Sequence, residues 1–128
     1  MTSPGSTLEA TVGQYVEVWN TPDPDVRRRV MAASCTPDVR YTDPQYDVSG
    51  YAELEALVSG FGSRFPGHQF RLSSAIDQHH GRARWSWEML GPDGDTVVVS
   101  GADFGILAED NRLREIVGFY TIPGSTRT

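Results

Sequence analysis

Three side chains in this sequence could move a proton or steady an oxyanion: Asp43 in Tyr41-Thr42-Asp43-Pro44, Asp103 in Val97-Val98-Val99-Ser100-Gly101-Ala102-Asp103-Phe104, and Tyr15 in Gln14-Tyr15-Val16. An ionised carboxylate is costly to bury, so each aspartate is turned to water, paired, or held near neutrality in a pocket. A carboxylate of the last kind can accept a proton from carbon near neutral pH. A phenol and a protonated carboxyl converging on one point would hold an enolate oxygen. Each residue also has a plainer reading. Asp-Pro is a common turn pair whose carboxylate accepts nearby backbone N–H groups. Tyr15 could be a core aromatic whose hydroxyl finds one partner. Asp103 could face outward and pair with an arginine such as Arg84. Strand parity leaves that open, with Val97, Val99, Gly101 and Gly105 on its face and Ala102, Phe104 and Ile106 opposite. The two glycines would leave room for a ligand or mark a bulge.

The elements that must position these groups follow from periodicity. Leu8, Val12, Tyr15, Val16 and Trp19 recur at helical spacing, which predicts an amphipathic helix over 7–20 with Tyr15 inward. Asp23-Pro24 reads as an N-cap followed by proline at the first helical position, and Val26, Val30 and Ala33 give the second helix its apolar face up to Thr36-Pro37. Val39 to Thr42 is a short extended piece closed by Asp43-Pro44, because the residue before proline is pushed out of the helical region. Gly50 opens a third helix, with Glu53 near its start and Leu54, Leu57, Val58, Phe61 and Phe65 on one side as far as Pro66-Gly67. The period then changes from helical to alternating. Phe70 to Ile76 and Ala83 to Met89 form one hairpin around His79-His80-Gly81. Gly91-Pro92-Asp93-Gly94 turns into a strand over 96–107, and Glu109-Asp110-Asn111 into a last strand over 112–122. Helices first and a meander of strands second is the α+β pattern, a sheet with its helices on one side. Such a curved sheet encloses a cavity, the usual kind of ligand site. Phe70, Trp85, Trp87 and Phe119 are core by alternation, and in a cone-shaped domain they would line a pocket for a flat ligand.

Composition excludes several functions. The 128 residues suit one core, with 1–6 and 123–128 as tails around a domain over 7–122. With 17 acidic against 11 basic side chains, nucleic acid and anionic membranes are poor partners. No apolar run approaches the roughly 20 residues of a membrane span, and the first residues do not read as a signal peptide. A single cysteine, Cys35, rules out an internal disulfide and fits a reducing compartment, with the cytoplasm expected. Cys35 itself is expected to be buried and inert. No histidine pair has zinc spacing, no acidic run forms a calcium loop, and neither a phosphate loop nor a serine nucleophile elbow occurs, so no metal or cofactor is expected. His79 and His80 belong to a solvated turn, and His68 could reach a pocket rim.

Three helices followed by a meander, Tyr-Thr-Asp-Pro after the second helix, and Gly-Ala-Asp-Phe with Arg-Leu-Arg-Glu-Ile-Val-Gly-Phe-Tyr near the end resemble the nuclear-transport-factor-2-like superfamily over about residues 7–122. Within it the chain looks most like SnoaL-like polyketide cyclases and ketosteroid isomerase. The resemblance implies a cone of three N-terminal helices on a curved, mainly antiparallel sheet, an apolar pocket, and a homodimer formed through the sheet. Gln14-Tyr15-Val16 matches the isomerase's tyrosine segment with one intervening residue lost, and Asp43-Pro44 matches its general-base pair. Asp103 matches its protonated aspartate, and an ungapped count brings Arg112 onto its strand-opening lysine. Phe104-Gly105 departs from that pattern. The activity implied by the resemblance is that of a cofactor-independent isomerase or cyclase acting on an apolar carbonyl compound, steroid-like or polyketide-like. Asp43 would be the base and Tyr15 and Asp103 the oxyanion donors, or, in the cyclase version, Asp103 itself would be the acid/base. The alternative is a non-catalytic ligand-binding or dimerisation module. Epoxide hydrolysis would need Arg84 or Arg71 turned inward between the aspartates.

Overall fold

The computed structural model describes residues 7–121. Its elements, in chain order, are α1 (Leu8–Asn20), α2 (Pro24–Ser34), β1 (Cys35–Thr42), β2 (Asp47–Ser49), α3 (Gly50–Arg64), β3 (Gln69–Leu72), β4 (Asp77–His79), β5 (Arg82–Leu90), β6 (Val97–Leu107) and β7 (Leu113–Tyr120). They form an α+β fold in which three helices pack on an open, curved, mixed sheet. The strand order is β2-β1-β7-β6-β5-β3, with β4 also paired to β5. Every pairing is antiparallel except β1 with β7. The tails expected at 1–6 and 123–128 lie outside the described residues.

Local chemistry sets the helix limits. Thr7 caps α1 by accepting the Ala10 N–H, and Asp23 caps α2 by accepting those of Asp25 and Val26, with Pro24 at the first position. Glu53 reaches back to the Ser49 N–H at the start of α3. Of the expected α1 stripe, Leu8, Val12 and Tyr15 join the core with Trp85, Leu113 and Ile116, Val16 is buried and Trp19 packs half-buried against that core, while Val18, outside the expected stripe, is buried with them.

The second helix is rolled relative to its expected face. Its buried residues are Arg27, Met31 and Ser34, whereas Val26 and Val30 are half-buried and Ala33 is exposed. Arg27 explains the roll. Its guanidinium donates to the carbonyls of Thr21 and Pro22 and pairs with Glu55 at 2.9 Å, tying α2 to its own entry loop and to α3. A buried arginine is tolerated when its donors are taken up in this way. The helix ends at Ser34, and β1 starts at once. Thr36 and Pro37 therefore lie inside the strand, where the ladder to β7 is interrupted between Cys35 and Arg40. Proline supplies no N–H to that ladder.

Of the expected single strand from Phe70 to Ile76 only Phe70 to Leu72 is strand, in β3, and β4 begins beyond it at Asp77. Between Leu72↔Trp87 and Asp77↔Arg84, four residues, Ser73 to Ile76, face only Trp85 and Ser86. Ser74 Oγ accepts the Ser86 N–H at 2.8 Å, so a side chain occupies a backbone place in the ladder. At the tip of the β4–β5 hairpin, His80 and Gly81 both have positive φ, the geometry of a two-residue primed turn. A second irregularity lies in β6, where Met89 pairs with Val99 but Leu90 pairs with Val97. Val98 is the extra residue.

Candidate active site

A cavity of about 160 Å³ opens between the helices and the inner face of the sheet. Its deep end holds Tyr15 from α1, Tyr41 from β1, Trp85 and Trp87 from β5, and Asp103 from β6; its mouth is bordered by Gln45, Tyr46, Arg64, Phe65 and Val98. Trp19, Leu57, Phe61 and Phe70 supply an apolar side wall in which Trp19 and Phe61 each pack within 6 Å of Phe70. Phe70 is fixed there because Asn20, the last residue of α1, exchanges two hydrogen bonds with its backbone, at 2.7 and 2.8 Å.

Asp103 points inward. It is 6% exposed, and its Oδ1 accepts the Trp87 indole N–H at 3.0 Å. The arginine expected as an outward partner, Arg84, instead pairs with Asp77 on the surface. Removal from water, reinforced by the charge of Asp43, raises the Asp103 pKa from 3.8 to about 7, against the single indole donor that favours ionisation. The glycines on its face do not open space for a ligand. A Cβ at Gly101 would run into the Trp87 ring, and one at Gly105 into Leu113 and the Trp85 ring. The two indoles lie over the two glycines and thereby form the floor on which Asp103 sits.

Asp43 is held differently. It is half-buried at the end of β1, where its Oδ1 accepts the N–H groups of Gln45 and Tyr46, both at 2.8 Å, and its Oδ2 accepts the Tyr41 hydroxyl at 2.6 Å. The turn reading holds, and the same carboxylate, with both oxygens hydrogen-bonded, lines the cavity. Gly118 of β7, paired with Asp103, lies between the carboxylates. A Cβ there would be 3.0 Å from Asp103 Oδ1, 3.5 Å from the Asp43 Cβ and 3.6 Å from the Tyr41 hydroxyl.

The phenols complete the polar end. Tyr15 is buried, and burial, with the charge of Asp103 behind it, raises its pKa well above the usual value, so it stays an O–H donor. Tyr41 is raised too, first by burial and then by its neighbours Tyr15 and Asp43. Tyr120 donates to Gln45 Oε1 at 2.9 Å.

Of the residues singled out from sequence, Tyr15, Asp43, Asp103, Trp85, Trp87 and Phe70 all line this one cavity. Phe119 does not. It is 54% exposed on the opposite face of the sheet, in edge contact with Phe104, because its neighbours Gly118 and Tyr120 take the inward positions. Val97, grouped with Asp103 by parity, is also exposed, and the bulge brings Val98 to the cavity beside Val99. Arg71 pairs with Glu88 at the surface, so neither it nor Arg84 stands between the aspartates. Arg112 binds Asp110 and the carbonyls of Ala32 and Cys35, bracing the α2–β1 junction. The Cys35 thiol is buried and its pKa is pushed up to about 12 by burial, which makes it a poor nucleophile. Tyr41, Tyr120 and Arg64 were not singled out from sequence. Two were accessible by parity: Tyr41 is two residues from Asp43 on one strand, and Tyr120 is two from the glycine facing Asp103.

Among the described residues no cluster of three or more His, Cys, Asp or Glu side chains could hold a metal ion. None of their helices is long and apolar enough to cross a membrane.

Comparison with known proteins gives the same architecture. No curated protein matches the sequence. An isomerase candidate of the SnoaL-like family from Agrobacterium tumefaciens str. C58 superposes with a TM-score of 0.82 at 30% identity, over 89% of this chain and 97% of that one. A SnoaL-like polyketide cyclase candidate from Jannaschia sp. CCS1 gives 0.67 at 18% identity, over 94% and 90% of the two chains. A protein of unknown function with a cystatin-like fold from Methylobium petroleophilum PM1 gives 0.71 at 19%, over 94% and 81%. The last two share the fold. The SnoaL-like domain profile matches residues 12–116, nearly the whole of the described structure, and the chain belongs to the SnoaL-like family, built on the nuclear-transport-factor-2-like fold.

Proposed function

We propose that this protein is a cofactor-independent isomerase or cyclase that acts on an apolar carbonyl compound by enolate chemistry, with Asp103 as the group that moves the proton. The observation that carries this reading is a carboxyl buried in the wall of an apolar cavity with its pKa raised to about 7, so that acid and base forms are both populated near neutrality. Asp103 takes a proton from the carbon next to the substrate carbonyl. Tyr15, held as a neutral phenol, donates to the enolate oxygen. The protonated Asp103 then returns the proton to a different carbon, which shifts a double bond; alternatively the enolate carbon attacks a second carbonyl of the same molecule and Asp103 protonates the new alkoxide, which closes a ring. Asp43 keeps its three donors throughout. It orients Tyr41 and helps to hold the Asp103 proton, a different role from the general base implied by the isomerase pattern.

The cavity also bounds the substrate. A closed apolar cavity of about 150 Å³ takes up benzene, so the enclosed part here holds one reacting ring, and a longer substrate extends through the mouth. The test is exchange of the α-hydrogens of 1-tetralone in deuterium oxide, followed by proton NMR. Catalysed exchange that disappears in Asp103→Asn is the expected result. Catalysed exchange retained by the variant would move the proton transfer to another group such as Asp43, and no catalysed exchange in the native protein would leave the ligand-binding module as the better reading.

A further inference from the structure

The mouth of the cavity carries a feature that proton transfer does not use. Of the described residues that line the cavity, Arg64 is the only cation. It comes from the last turn of α3, and among the described residues it forms no ion pair, whereas Arg27, Arg28, Arg40, Arg71, Arg84 and Arg112 each meet a carboxylate within 4.0 Å. Arg29, Arg82 and Arg114 are also without an ion pair among those residues, but none of them lines the cavity. A cation in the last turn of a helix is favourable in itself. That role asks only for charge near the terminal carbonyls, and Arg64 does more. Its guanidinium carbon lies over the Tyr46 ring, 5.7 Å from its centre, within cation–π range. Tyr120 stands on the same side, its phenol pKa raised by burial and then by Asp43, and opposed by Arg64.

We infer that Arg64 is an anion-binding subsite at the pocket mouth, and that the substrate carries a carboxylate or an equally acidic group at the end remote from its reacting carbonyl. The inference rests on the pocket reading above. The geometry fits an elongated molecule whose apolar ring enters between Trp87, Phe70 and Phe61 while its acid remains at the rim, where an arginine fork pairs with a carboxylate in two parallel hydrogen bonds. Leaving the acid at the mouth also keeps it from Asp103 at the deep end, where a further negative charge would be repelled.

A matched pair of ligands tests this: 2-naphthoate, and methyl 2-naphthoate as its uncharged counterpart. Trp19, Trp85 and Trp87 line the cavity, so quenching of native tryptophan fluorescence reports binding of both. The readout is the ratio of the ester's dissociation constant to the acid's at low ionic strength. We expect a ratio of about ten in the native protein, close to one in Arg64→Gln, and intermediate in Arg64→Lys, which keeps the charge but loses the fork. The native ratio should also shrink on raising the salt from about 20 mM to about 500 mM, since the site is open to solvent. A native ratio near one with both ligands bound overturns the subsite and leaves the acid/base reading intact. So does a native preference that Arg64→Gln retains. Quenching by neither ligand overturns the subsite together with the pocket reading on which it rests.

Discussion

At the deep end of the cavity Asp103 receives one indole N–H from Trp87, whereas the loop after β1 surrounds Asp43 with two backbone N–H groups and the Tyr41 phenol. Both carboxylates border Gly118, so they share one neighbourhood and differ in their donors and their depth. Three donors fix the direction of a carboxylate. A single donor in a dry wall leaves the proton nearly balanced between carboxyl and solvent. On the proposed reading, the carboxylate that exchanges the proton is the one the fold has supplied with fewer donors, not the one that family position would pick.

Substituting each aspartate breaks this comparison most sharply. Asp103→Asn should lower the α-proton exchange rate by about 10²–10⁴, the usual worth of a positioned acid/base group. Its effect on stability should be favourable and pH-dependent. The folded protein holds the Asp103 proton up to about pH 7, while the unfolded chain releases it near 3.8, so between these values the folded state binds more protons. Stability contributed by this group therefore falls as pH rises through that window and levels off above it. The full penalty corresponds to about 4 kcal/mol, an order-of-magnitude figure from the shift to about 7. An asparagine keeps an acceptor for Trp87 and carries no charge. Urea unfolding should therefore find Asp103→Asn more stable than the native protein at pH 8, with a gain about 2–3 kcal/mol larger than at pH 5. A gain independent of pH would mean that Asp103 does not carry the raised pKa.

Asp43→Asn should have the opposite sign on stability. The amide oxygen can still accept a backbone N–H, but the charge that strengthens all three hydrogen bonds is lost, a cost of about 1–3 kcal/mol measurable by the same unfolding experiment at pH 8. Removing that charge also removes one of the two influences that raise the Asp103 pKa, and the lesser of them. The midpoint of the Asp103 carboxyl resonance, followed by carbon-detected NMR against pH, should move down by a fraction of a unit. A shift upward, or a large one, would mean that Asp43 rather than burial controls Asp103.

Much of the arrangement around these aspartates was legible in sequence, and the exceptions have physical causes. The α1 period placed Tyr15 inward because the apolar stripe of a 13-residue helix has only one way to face a core. Asp23-Pro24 and His80-Gly81 fixed a helix start and a hairpin tip by purely local chemistry. The roll of α2 was hidden because Arg27 counts as polar in any pattern, yet three acceptors from two other segments draw it inward. Parity failed at Val97 because a bulge adds one residue and exchanges the faces beyond it. It also failed to separate Phe119 from Tyr120, since both are aromatic and only their register with Asp103 tells them apart. Which aspartate would be the drier was not written in either local motif. That depends on Trp85 and Trp87 settling over Gly105 and Gly101, contacts made between strands.

The smallest change that should separate the two carboxylates is at the glycine between them. A methyl group at Gly118 would stand 3.0 Å from Asp103 Oδ1, closer than almost all Cβ contacts, but 3.5 Å from the Asp43 Cβ, an ordinary contact. Gly118 has no positive φ that would itself resist alanine. Gly118→Ala should therefore leave the Asp43 turn in place and push the Asp103 carboxylate back by a few tenths of an ångström, lengthening its bond from the Trp87 indole. Loss of that donor, together with a methyl group in place of open space, disfavours the ionised form and should raise the Asp103 midpoint further. The exchange rate near neutral pH should fall by about tenfold, because less of the base form is present and its position is altered. The Trp87 indole proton resonance reports the hydrogen bond directly, and the amide resonances of Gln45 and Tyr46 report the Asp43 turn. Movement of the first without the other two is the expected pattern, and movement of all three would mean that the two carboxylates respond as one rigid unit rather than as two differently held groups.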